Sequence, residues 1–204
     1  MSDPAFKDHF SVAAGEYDRY RPAYPDALMA FLADLAPSRA RAWDCATGTG
    51  QAATGLAEHF QQVIATDASP AQLAHAVGHP RVEYAVARAE DCGLDDASVD
   101  LVTVAQALHW LDLDAFYAEL RRVARPGAVF AAWTYSLADA DPVVDSLVAA
   151  FYEEMAPWWP PERVHVEEGY RNLAFPFEAI EAPVFEVRAD WPLDRLLGYF
   201  STWS

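Results

Sequence analysis

Between Ala40 and Tyr135 short runs rich in branched residues alternate with runs whose apolar residues recur at helical spacing. That rhythm restricts the fold more than any other feature. Strands are expected at Ala40–Cys45, Val63–Thr66, Val82–Val86, Val99–Ala105 and Gly127–Tyr135. Helices are expected between them at Gln51–Phe60, Pro70–Val77 and Leu113–Ala124. Strands separated by helices pair in parallel through crossovers, which places helices on both faces of one sheet. The expected class is α/β, a Rossmann-like doubly wound, mostly parallel sheet.

The flanks extend this plan. Pro25 and Asp26 suit the first turn of a helix, and Leu28, Phe31, Leu32 and Leu35 follow at helical spacing up to Pro37. Beyond the fifth strand a helix is expected at Val143–Met155, followed by P-W-W-P-P at Pro157–Pro161. No regular element tolerates that proline density, so 156–178 reads as an irregular insertion or lid. Val184–Trp191 reads as a further strand and Leu193–Phe200 as a last helix. There is no repeat and no low-complexity linker. The chain is therefore read as one domain: an N-terminal cap at 1–38, a core at 39–135, a lid within 142–180 and a C-terminal part at 181–204.

The first strand runs into W-D-C-A-T-G-T-G-Q-A-A, from Trp43 to Ala53. Ligands of doubly wound sheets bind beyond the carboxyl ends of the strands, and the first exit is the favoured place. Gly48 and Gly50 let backbone approach a ligand, and the next helix begins near Gln51 with its N–H groups unpaired. Asp67 ends the second strand 17 residues after Gly50, where a carboxylate can accept ribose hydroxyls. Strand, glycine turn, helix, strand and acid in that order point to a nucleoside-containing cofactor. G-T-G-Q-A-A also fits the dinucleotide fingerprint, which keeps an NAD(P)-dependent oxidoreductase and a non-catalytic cofactor-binding protein as alternatives. Asp44, four residues before Gly48, favours a cationic cofactor and disfavours a pyrophosphate.

Composition excludes several classes. The net charge is −17, from 14 basic against 31 acidic residues. Such a chain repels phosphate backbones and anionic surfaces, so no nucleic-acid or membrane partner is expected. The longest apolar stretch, Ala128–Trp133, is far short of the ~20 residues that cross a bilayer. The N-terminus has no basic segment followed by an apolar one, and Cys45 and Cys92 are too few for a disulfide framework. A cytoplasmic protein is expected, with both cysteines as small apolar fillers. No clustered Cys/His ligands imply a metal.

These segments resemble the class I S-adenosylmethionine-dependent methyltransferases, in particular small-molecule enzymes of the trans-aconitate methyltransferase-like, methyltransferase type 11 group. The likeness runs from Tyr17 to about Tyr135 through Y-R-P-A-Y-P, W-D-C-A-T-G-T-G-Q-A-A, V-I-A-T-D-A-S, A-R-A-E-D, S-V-D-L-V-T-V-A-Q-A-L-H-W and R-R-V-A-R-P-G-A. It implies S-adenosyl-L-methionine as cofactor and S-adenosyl-L-homocysteine as product. It places Asp44, Ala46, Thr47, Gly48, Thr49 and Gly50 around the methionine part of the cofactor, and Asp67 on the ribose. Ala68, Ser69 and Leu73, with Ala89 and Glu90, would border the adenine. Gln106, Ala107 and His109 would lie beneath the methyl group. Ala46 and Ala128 replace usual glycines, and Ala46 is expected to require an ordinary backbone angle. The family sheet also carries an antiparallel strand between its fifth and sixth strands. The chain stops at Ser204, after the helix that should precede that strand, so the sequence does not reach it and Val184–Trp191 would lack its usual neighbour.

The resemblance implies in-line methyl transfer to a small acceptor, a carboxylate or another oxygen nucleophile, by a monomer or homodimer. A carboxylate needs no base, whereas other acceptors make His109 the candidate. Tyr17, Tyr20, Arg21, Trp110, Trp133 and Tyr135 are the candidate substrate residues, with Trp158 and Trp159 as further aromatic candidates. Arg21, or Arg19, Arg163 or Arg171, would hold an acidic group.

Overall fold

The computed structural model describes residues 20–202. Five strands form one sheet: β1 (Arg41–Cys45), β2 (Gln62–Asp67), β3 (Val82–Val86), β4 (Val99–Ala105) and β5 (Ala124–Trp133). Their order is β3-β2-β1-β4-β5, and every neighbouring pair is parallel. The helices are α1 (Asp26–Leu35), α2 (Gln51–Leu56), α3 (Pro70–Leu73), α4 (Leu113–Val123), α5 (Pro142–Met155), α6 (Arg163–Glu167) and α7 (Leu193–Ser201). Single 3₁₀ turns occur at Leu108–Trp110 and Ala156–Trp158.

The central strands are apolar on both sides because both faces are covered. On one face Ala42, Val63, Ala65 and Leu101 meet Leu28, Met29 and Leu32 of α1 and Ala52, Ala53 and Leu56 of α2. On the other, Trp43, Cys45, Val102 and Val104 meet Phe116, Tyr117, Leu120 and Val123 of α4. Neighbouring residues Ala42 and Trp43 go to opposite clusters, as the two-residue period of a strand demands. The buried Trp43 indole donates to Thr66 Oγ1 (2.8 Å), so this large side chain carries no unpaired donor.

Several sequence expectations change. Val184–Trp191 is not a strand, and Val184 is 91% exposed. Its alternating pattern has no ladder to join, because the described sheet ends at β5 and Phe185 turns instead onto Phe31 of α1. The helix expected to reach Val77 stops at Leu73, because the Val77 N–H donates to Thr49 O (3.2 Å) and draws the chain to the glycine loop. The helix expected to reach Phe60 ends at Leu56 and continues as turns. β5 begins earlier than expected, at Ala124, and the segment through Gly127 (φ +79°) bulges out between the Val99–Ala124 and Leu101–Val129 pairs. The 156–178 segment, expected as an irregular insertion or lid, is not wholly irregular. It contains α6, and its later part is anchored on the α4 face, where Phe175 stacks on Phe130 and Tyr117 Oη donates to Ala174 O (2.8 Å).

Two ionic braces support the sheet and α4. Asp100 accepts the Arg41 N–H (3.0 Å) and Arg125 Nη1 (2.9 Å), which ties the starts of β1, β4 and β5. These donors hold its carboxyl below the usual range. Glu119 of α4, only 8% exposed, accepts Arg122 Nε (2.8 Å) and the Cys92 N–H (2.9 Å). Arg122 is the main cause of its pKa falling from 4.5 to about 2. A depressed carboxylate stabilises the fold above its unfolded pKa, and that stability is lost as pH falls toward the folded one. Glu119→Gln is therefore expected to lower stability by about 2 kcal/mol at neutral pH. The gap should narrow as pH drops from 4.5 toward 2, as read from urea unfolding of both proteins.

Candidate functional site

Strand order reverses between β1 and β4, and a cavity of about 590 Å³ opens there at the carboxyl ends of the strands. Its size suits a small-molecule ligand. The loop after β1 lines it from Ala46 to Thr49, followed by Gln51 and Ala52 of α2. The exit of β2 adds Asp67, Ala68, Ser69 and Gln72, and the exit of β3 adds Ala87–Glu90. The exit of β4 supplies Ala105, Gln106, Ala107 and His109–Asp112. Tyr24, Ala115 and Glu162 complete the wall.

The loop is held in a left-handed course. Ala46 (φ +54°), Gly48 (φ +59°) and Gly50 (φ +89°) all lie in the region that favours glycine. The expectation of an ordinary backbone angle at Ala46 is thus overturned. The turn from β1 needs this conformation, and the alanine methyl adopts it against a steric cost of about 1–2 kcal/mol. Two carboxylates hold the loop in place. Asp67 accepts the Gly48 N–H through Oδ2 and the Ser69 N–H through Oδ1, both at 2.8 Å. Asp44, 1% exposed, accepts Thr47 Oγ1 from the loop and Thr103 Oγ1 (2.7 Å) from β4. Burial pushes its pKa from 3.8 up to about 6, against the lowering effect of these hydroxyls.

Across the cavity, Gln106 is also left-handed (φ +60°). Its Oε1 accepts Thr134 Oγ1 (3.0 Å), and its buried Nε2 has no hydrogen-bond partner among the described residues. His109 stacks on Trp110, with centroids 4.6 Å apart, and its Nδ1 lies 3.0 Å from Tyr170 Oη. Burial, and then the nearby His165 and Arg163, push its pKa from 6.5 down to about 4, so the ring is neutral at physiological pH. Arg88 Nε and Glu90 Oε2 form an ion pair at the rim (3.3 Å). Among the described residues no cluster of three or more His, Cys, Asp or Glu could hold a metal ion, and no helix is long and apolar enough to cross a membrane.

Comparison with known proteins shows the family of the chain. A methyltransferase-domain family model matches residues 43–132, which span the loop and the β4 exit. A Dictyostelium discoideum protein named as a methyltransferase is 32% identical over 204 residues, covering 98% of this chain and 78% of that protein. The chain belongs to the class I S-adenosylmethionine-dependent methyltransferases. A solved structure described as a type II methyltransferase, from Anaeromyxobacter dehalogenans, is 58% identical. It has a TM-score of 0.85 and covers 90% of this chain and 79% of that one. A Mycobacterium tuberculosis methyltransferase is 40% identical over 119 residues, and the match spans 48% of its length. The family's cofactor, S-adenosyl-L-methionine, is thereby the cofactor of this chain.

Against this methyltransferase frame, most of the expected cofactor residues come together. Ala46, Thr47, Gly48, Thr49, Asp67, Ala68, Ser69, Ala89, Glu90, Gln106 and Ala107 all line the cavity, as do His109 and Trp110. Three others do not. Asp44 lies behind the loop, Gly50 caps α2, and Leu73 turns away while its neighbour Gln72 faces inward. The N-terminal aromatic patch is also placed differently. Tyr20 packs against Gly198 of α7. Arg21 donates to Tyr135 Oη (3.2 Å) and Thr202 O (2.7 Å), and its guanidinium lies over Tyr199. Trp133 meets the edge of Tyr24 at 5.3 Å. Tyr20 and Arg21 thus join α7 and Thr202 to Tyr135, Trp133 packs on Tyr24, and none of these four lines the cavity, whereas Tyr24 does. Trp158 is 78% exposed, and Trp159 stacks under Arg163. Tyr17 and Arg19 lie outside the described residues.

Two outcomes follow. A Cβ at Gly50 would stand 2.1 Å from Tyr84 Oη in a left-handed residue. Gly50→Ala is expected to lower stability by about 1–2 kcal/mol, measurable as a shift in urea midpoint. For Asp44, the native group takes up its proton near pH 6 and the unfolded chain near 3.8. The native state binds more protons between those values, so wild type should gain on Asp44→Asn as pH falls from about 7 to about 4. The gain should be about 3 kcal/mol in paired unfolding curves.

Proposed function

We propose that S-adenosylmethionine lies in the cavity at the β1–β4 switch point and that the enzyme methylates a small acceptor through a carboxylate or another oxygen nucleophile. The observation that carries this reading is one cavity lined by a left-handed loop, a carboxylate at the β2 exit and Gln106, whose buried Nε2 has no hydrogen-bond partner among the described residues.

The residues suit the group. The backbone of Ala46–Thr49 would lie along the methionine portion, supported from behind by Asp44 and Gly50. Asp67 would accept the ribose hydroxyls, because its carboxylate stands at the β2 exit on the cavity wall, where it also takes the Gly48 and Ser69 N–H groups. Ala68 and Ser69, with Ala89 and Glu90, would border the adenine, and Leu73 would support α3 from behind. Gln106 and Ala107 would face the methyl-bearing end. When bound, the cofactor supplies an electrophilic sulfonium methyl for in-line displacement, with charge neutralised when the acceptor is anionic. The chain's own contribution is alignment and exclusion of water. Tyr24, His109 and Trp110 form the acceptor wall, and Glu162 brings the lid over it. A histidine held near pKa 4 is a weak base, which favours acceptors that already present a lone pair. The reading treats the chain as one methyltransferase unit, a cytoplasmic monomer or homodimer. Its net charge of −17 keeps it from nucleic acid.

Calorimetric titration with S-adenosylhomocysteine and, separately, with NAD tests the site. The former is expected to bind and the latter not. Asp67→Asn should weaken S-adenosylhomocysteine by about 10- to 100-fold, the worth of charge-assisted hydrogen bonds. An unchanged affinity would remove Asp67 from the site. Mass spectrometry of a panel of small carboxylic acids, alcohols and amines tests the acceptor: turnover of amines alone would overturn the oxygen reading.

A further inference from the structure

After α6 the chain carries two consecutive left-handed residues, Gly169 (φ +58°) and Tyr170 (φ +62°). A tyrosine takes that conformation only when its surroundings hold it there. Here the Tyr170 N–H donates to His165 O (2.8 Å), and the ring packs on the buried cluster of the α4 face. This course brings its hydroxyl to 3.0 Å from His109 Nδ1, 61 residues away in sequence. The two rings sit 5.7 Å apart, and Trp110 flanks His109 from another side.

We propose that Tyr170 is a positioning residue: its hydroxyl donates to His109 Nδ1, which holds His109 as the Nε2–H tautomer and makes it a hydrogen-bond donor to the acceptor molecule. A neutral imidazole has one donor and one acceptor nitrogen, and the bond made by one nitrogen sets the role of the other. A phenol is an effective donor to the acceptor nitrogen, so Nδ1 accepts and Nε2 keeps the proton. With Nδ1 taken by Tyr170, Nε2 is the ring nitrogen available to the cavity that His109 lines. Gln106 lines the same cavity, and its buried Nε2 has no hydrogen-bond partner among the described residues. An Nε2–H donor on His109 selects an acceptor molecule that presents oxygen lone pairs, such as a carboxylate, whose methylation needs no base. This deepens, and rests on, the oxygen-acceptor reading above.

The test is the tautomeric state of His109 in the ¹⁵N-labelled protein, read from long-range ¹H–¹⁵N correlations with and without S-adenosylhomocysteine. The His109 signals are assigned by their loss in His109→Gln. Wild type is expected to show the Nε2–H form. Tyr170→Phe should move the tautomer ratio about fivefold toward Nδ1–H, the worth of one neutral hydrogen bond, with S-adenosylhomocysteine affinity unchanged. An Nδ1–H form in wild type overturns the proposal whether or not the variant folds, and so does an unchanged ratio in Tyr170→Phe. Failure of S-adenosylhomocysteine to bind would instead count against the cofactor site, because the spectrum of the free protein decides the role of Tyr170 by itself.

Discussion

The carboxylate of Asp44 sits where β1 turns into the left-handed loop, and the rest of the site depends on that junction. One oxygen takes the Thr103 hydroxyl of β4, and the other takes Thr47 of the loop. A buried charge is costly unless such donors meet it, and here they come from β4 and from the loop that follows β1, on the two sides of the switch point. The same carboxylate thus fixes the mouth of the crevice and the course of the loop. Burial raises its pKa to about 6 because those hydrogen bonds offset the desolvation only in part. Asp67 repeats the arrangement one strand away, where it joins the loop to the β2 exit through Gly48 and Ser69.

Stability and ligand chemistry are divided between the two ends of the sheet. At the amino ends of the strands, Asp100 with Arg125 closes the sheet away from the cavity. Glu119 with Arg122 braces α4 against the Cys92 backbone. At the carboxyl ends, three non-glycine or glycine turns with positive φ, at Ala46, Gly48 and Gln106, border the cavity. Strained backbone collects where groups must be aimed at a ligand, and the packed layers beneath keep it in place.

The 156–178 segment shows how one stretch of chain serves both roles. Phe175 and Phe177 cover Phe130 of β5, while Tyr170 and Glu162 of the same segment reach His109 and the cavity. The aromatic patch at the N-terminal side works similarly: Arg21 clamps Tyr135 and Thr202, and Tyr24 extends to the cavity wall.

Much of this was legible in the sequence because local chemistry specifies it. Short apolar runs of four to nine residues separated by helical periods can bury both faces only as a parallel sheet, and glycines at 48 and 50 followed by Asp67 mark the crevice. Nothing local distinguishes a strand from an extended coil, however. The Val184 segment has the alternation of a strand but no edge to pair with, and Trp133 and Tyr135 follow a strand exit yet turn toward α7 and Tyr24. Ala46 is left-handed although its side chain disfavours it, because Asp44 and the turn impose the conformation. Glu162, Gln72 and Tyr170 carry no motif, and only packing brings them to the cavity or to His109. The sequence by itself determined the order of elements and the place of the loop, since these follow from periodicity and backbone freedom. The tertiary structure decided which polar groups face inward and in what protonation state, since burial and partners distant in the chain set both.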